Sequence, residues 1–91
     1  MHKANLNLLP TLKVLLETRN ISRAAELLHL SQPSISKQLG QLRSEFGDEL
    51  LVREGQRWLL TPRAEALAAQ LADSLGALER LYAAPEFAPE R

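Results

Sequence analysis

The sequence predicts a mainly α-helical domain in which three helices and a small β-hairpin are followed by one long helix. Three observations predict it. Leucines recur at helical spacing up to residue 46 and again after residue 62, residues that start or stop helices fall between those stretches, and the period shortens around Gly55. With 91 residues, 45% of them hydrophobic, the chain fits one small domain. A chain of this size buries only roughly 60 to 65% of its extended surface, so self-association is expected to supplement its stability.

Leu8, Leu9, Leu12, Leu15 and Leu16 form the stripe of a first helix from Asn7 to about Thr18, with Asn7 as its N-cap and Pro10 harmless in the first turn. Arg19 and Asn20 end it. Ser22 is expected to cap a second, short helix through Leu28, which stops at His29, a residue type that tolerates unusual backbone angles. Ser31 caps a third, with Gln32 and Pro33 in its first turn, Ile35, Leu39 and Leu42 on its inner face and Gly47 past its end. From Leu50 two short apolar runs flank Glu54-Gly55-Gln56 and read as a hairpin, on which Trp58 is expected to pack rather than stack on a base. Thr61 and Pro62 then open a fourth helix through about Ala84. Leu67, Leu71, Leu75, Leu78 and Tyr82 form its apolar seam, too long for the small body to cover, and a partner helix is expected there. Residues 85–91, with two prolines and no periodicity, read as a linker.

Net charge is zero, but its distribution is not even. Residues 1–63 carry nine basic and six acidic side chains, while residues 64–91 carry two and five, so one end can face phosphates. The absence of cysteine excludes a disulfide scaffold, a thiolate zinc site and a cysteine nucleophile. His2 has no partner at metal-ligand spacing, and neither a metal site nor a nucleophile-base pair is found. No apolar run approaches the ~20 residues that span a bilayer. The expectation is a soluble cytoplasmic protein that is not an enzyme and holds no cofactor.

Two short capped helices joined through His29-Leu30-Ser31 have the layout of a helix-turn-helix, whose second helix enters the DNA major groove. Ala25 sits where the helices cross, and Leu28, Leu30 and Ile35 are expected to lock the angle from inside. Left outward on the third helix are Gln32, Ser34, Ser36, Lys37, Gln38 and Gln41, which are amides and hydroxyls with one cation and no carboxylate. Such groups can read base edges and contact phosphate, and the helix N-terminus adds free N–H groups.

Residues 6 to 91 resemble the DNA-binding domain and linker helix of the LysR-type bacterial transcriptional regulators. The resemblance rests on the run from Ser22 to Leu39, on Leu42-Arg43, on Phe46 to Arg53 and on Leu60-Thr61-Pro62. Arg63-Ala64-Glu65 departs from the Ala-Gly common after Thr-Pro in the wider family and is similar to the branch containing nodulation regulators. The resemblance implies a winged helix-turn-helix over residues 1–61, a linker and dimerisation helix over 62–84, and in 85–91 the hinge to a C-terminal effector-binding domain absent from this sequence, as in a truncated product. It further implies that Gln32, Pro33, Ser34 and Ser36 read bases. Ser22, Arg23, Ser31, Lys37, Gln38, Arg53 and Arg57 would meet phosphate or minor groove, with Lys37 where arginine is usual. The partners it implies are double-stranded promoter DNA, read as an interrupted inverted repeat, and a second copy paired through the long helix. A full-length protein would add higher oligomers and a small-molecule effector. The competing expectation is a helical module that binds another protein through the same seam and never meets DNA.

Overall fold

The computed structural model describes residues 5–83. A 3-10 turn, Leu6–Leu8, leads into α1 (Leu9–Thr18), α2 (Ile21–Leu28) and α3 (Gln32–Phe46). A two-stranded antiparallel wing follows, β1 (Leu51–Glu54) and β2 (Arg57–Leu60), and then α4 (Pro62–Tyr82).

Helix ends follow cap chemistry, and two caps differ from expectation. Asn5 caps the 3-10 turn, accepting from the Asn7 N–H at 3.0 Å, so α1 begins after Leu8 without a side-chain cap and Asn7 caps nothing. The second cap is Asn20, not Ser22, because Arg19 ends α1 in the left-handed region (φ 54) and leaves Asn20 as the first extended residue. Its Oδ1 accepts from the Arg23 N–H at 2.9 Å, which places Ser22 inside the first turn. Ser31 caps α3 and Thr61 caps α4 as expected. α4 ends at Tyr82, two residues short of the expected end, with extended Ala83 beyond it. The expected hinge over 85–91 lies outside the described residues, as does His2.

His29 takes the left-handed conformation (φ 57) expected of the turn. The Leu30 N–H donates to the Ala25 carbonyl and the His29 N–H to that of Glu26, the paired bonds of a Schellman ending. That geometry holds Leu30 over the helix end at 40% exposure, so it does not lock the helices from inside as expected. Ala24, Ala25 and Ile35 do that work, and all three are buried. Leu50 is not a strand residue; it sits at φ 66 before β1 with its side chain in the core.

The core has two lobes. Leu8, Leu12, Leu16, Leu42, Leu50 and Ala64 form one, closed by Leu67, Ala68 and Leu71 of α4. Leu15, Ala24, Ala25, Ile35, Leu39 and Leu51 form the other, with Leu28 and Trp58 against it. Leu60 touches both, so the wing is packed onto the helices rather than projecting free. No described helix is long and apolar enough to cross a membrane.

Candidate nucleic-acid interface

A helix turns about 100° per residue, and this sets which side chains of α3 can face outward together. With Ile35, Leu39 and Leu42 inward, Pro33 and Lys37 stand roughly opposite the core. Both are exposed. Gln32 and Ser36, one turn apart, flank the core on one side, while Ser34 and Gln38 flank it on the other.

The wing decides what Gln32 and Ser36 meet. Its turn, Gly55-Gln56, takes a positive φ at the glycine (65) and pairs Glu54 with Arg57 and Arg53 with Trp58. Side chains alternate along a strand, so Arg53 and Trp58 share one face and Arg57 lies with Glu54 on the other. The Arg53 guanidinium sits 5.3 Å from the Trp58 ring centroid and its Nε donates to the Gly55 carbonyl at 3.2 Å. Trp58 therefore packs, as expected, and also carries an arginine.

Gln32 and Ser36 of α3, Ser22 and Asn20 at the start of α2, and Arg53, Gln56 and Trp58 of the wing line one open polar concavity. No carboxylate lines it. Four expected contact residues, Ser22, Gln32, Ser36 and Arg53, thus converge on one surface. Asn20 and Gln56 line it too without having been among the expected contacts, and so does Trp58, for which packing was expected. A two-residue turn at Gly55-Gln56 places Trp58 opposite Arg53, and that register was legible in the sequence.

Other expected contacts sit differently. The Ser31 hydroxyl accepts from the Ser34 N–H at 3.2 Å and donates to the Ser34 hydroxyl at 3.0 Å, within the first turn of α3. The Thr11 hydroxyl of α1 donates to the Gln38 side-chain carbonyl. Arg23 pairs with Glu26 at 3.2 Å, an exposed contact worth at most about 1 kcal/mol and readily exchanged for another anion. Among the described residues no group of three His, Asp or Glu side chains could hold a metal ion.

The α4 seam divides. Leu67 and Leu71 rest on the core, and Leu71 and Leu75 border an apolar notch with Leu16, Ala68 and Ala72. Beyond them Leu78 is 49% and Tyr82 89% exposed, with Leu81 beside them at 77%.

Residues 6–65 match the model of the bacterial regulatory helix-turn-helix proteins of the lysR family. The chain is 46% identical over 71 residues to nodulation protein D 1 of a Bradyrhizobium strain, covering 78% of this chain and 23% of that protein. Its fold is similar to a probable transcriptional regulator of Pseudomonas aeruginosa, with a TM-score of 0.78 and 43% identity over 85% of this chain and 26% of that one. It is also similar to DarR of Vibrio fischeri, solved in complex with DNA, with a TM-score of 0.75 and 26% identity over 87% of this chain and 27% of that one. The chain thus spans about a quarter of the length of these relatives.

Proposed function

The chain belongs to the lysR family of bacterial regulatory helix-turn-helix proteins, and on that premise we propose that it binds promoter DNA in a sequence-specific manner, as a dimer on an interrupted inverted repeat. The proposed activity is binding, with no chemical step, and its place is the cytoplasmic nucleoid. The observation that carries it is the concavity in which Gln32 and Ser36 face Arg53, Gln56 and Trp58 without a carboxylate among them. DNA in DarR's complex supports the same partner for this fold.

In this reading α3 enters the major groove, where Gln32, Pro33, Ser34 and Ser36 meet base edges. The wing rides on the flanking backbone or minor groove with Arg53 and Arg57 on its two faces. Ser22, Arg23, Ser31, Lys37 and Gln38 supply contacts to phosphate, which set affinity and register rather than sequence. Within the described residues, those up to Thr61 form the reading unit and α4 carries the pairing surface, through Leu78 and Tyr82 above all.

Selection from a pool of random duplexes, repeated at two salt concentrations, tests the reading. The expected result is an enriched inverted repeat with half-sites about one helical turn, or ~34 Å, apart. Ser36→Phe should change the preferred half-site. Lys37→Ala should weaken all sites alike and lower the salt slope by about 1. Absence of enrichment at low salt would overturn it in favour of a protein-binding module.

A further inference from the structure

The junction between α3, the wing and α4 is closed by a ring of hydrogen bonds around one oxygen. Oδ2 of Asp48 accepts from the Leu50 N–H at 2.8 Å and from the Thr61 hydroxyl at 2.6 Å. The same Thr61 oxygen accepts from the Ala64 N–H at 3.0 Å, capping α4, and the Thr61 N–H donates to the Leu50 carbonyl at 3.0 Å. Leu50, held in the left-handed region by these bonds, drives its side chain into the core beside Ala64. On the α3 side, Nε of Arg43 donates to the Glu49 carbonyl and an Nη to the Leu51 carbonyl, both at 2.7 Å. Asp48 directly follows Gly47, which ends α3. One carboxylate therefore joins the end of α3 to the first turn of α4.

We propose that Asp48 is a positioning residue which, through Thr61, fixes the direction of α4 relative to α3 and so sets the spacing between half-sites that the dimer accepts. The proposal rests on the reading above, that α3 reads DNA and α4 pairs the subunits. If α4 is the fixed axis of the dimer, any rotation at its first turn moves α3 along the groove. A rotation that carries α3 by about 3.4 Å, the rise of one base pair, is enough to change the accepted spacing by one step. A loose junction would therefore accept neighbouring spacings, whereas a latched one would reject them. The base-reading side chains play no part in this choice, so half-site sequence and half-site spacing are set by different residues.

The test is the duplex selection carried out on the parent, on Asp48→Ala and on Asp48→Asn, scoring half-site sequence and spacing separately. The parent should enrich one spacing. Asp48→Ala should retain the half-site sequence but spread enrichment over spacings one or two base pairs longer and shorter. Asp48→Asn keeps an oxygen able to accept both bonds and should restore the single spacing. If Asp48→Ala does not fold, Thr61→Val removes the hydroxyl from the other side of the latch at constant shape and should spread the spacing in the same way. A latch variant that melts at lower temperature yet keeps one spacing overturns the positioning role and leaves the reading of DNA intact. A parent that enriches no repeat overturns that reading and the proposal with it.

Discussion

Arg19, His29 and Leu50 share a left-handed backbone but not its consequences (φ 54, 57 and 66). A non-glycine residue there carries a penalty of roughly 1–2 kcal/mol, which glycine removes at an entropic cost of about 0.5–1 kcal/mol in the unfolded chain. At exposed Arg19 nothing else is lost, and Arg19→Gly should leave stability unchanged or raise it by up to about 1.5 kcal/mol. At Leu50 the side chain is 1% exposed in the core, and truncating a buried leucine costs about 2–5 kcal/mol. Leu50→Gly should therefore destabilise strongly despite the relieved backbone, and urea unfolding of the two variants checks the contrast. Gly40 offers a third case, since it lies within α3 and an added Cβ would meet nothing within 4 Å. Gly40→Ala should stabilise the free protein by about 1 kcal/mol, read from the shift in its urea midpoint.

Between α3 and α4, the carboxyl of Asp48 is held below its ordinary value of 3.8, first by the Thr61 hydroxyl, then by the Leu50 N–H, with Arg63 adding to them against the opposing effect of desolvation. A lowered folded-state value means that the charged latch contributes in full above the unfolded value and is lost as pH falls through the folded one. The stability difference between the parent and Asp48→Asn should thus be constant near neutrality and shrink below about pH 4; an equal difference at pH 3 and pH 7 would remove the charge from this account. The bond between Asp48 and Thr61 was not legible in the sequence, because it depends on tertiary placement rather than on local spacing. The helices themselves were legible, since a repeat of leucines and a cap such as Ser31 or Thr61 act within a few residues. Asn20 and Ser22 compete for the same cap on propensity alone, and only the left-handed Arg19 decides between them. The same limit holds at the site. The outward set on α3 followed from its period, but the commitment of Gln38 to Thr11 and of Arg23 to Glu26 follows from neighbours that no period reveals.

For the whole molecule the division of the α4 seam matters most. α4 has 21 residues and is about 31 Å long, yet only its first half lies against the body. Leu71 is half-buried against the core, so a charge placed there would destabilise the domain as well as any pairing and say little about the latter. Leu78 and Tyr82 lie one turn apart on the exposed end, touching neither core lobe. Replacing both with glutamate removes apolar surface from the proposed interface and sets like charges against each other across a two-fold axis. Sedimentation should then report a monomer that stays folded, since neither residue packs in the core of the single chain, and that melts below the parent because the stabilisation from pairing is gone. Without a tether between two reading units, affinity for a duplex with both half-sites should fall by about 100-fold or more, while affinity for a single half-site stays the same. An intact dimer in this variant would move the pairing surface off the end of α4, and the latch at Asp48 would then have no fixed axis to act on.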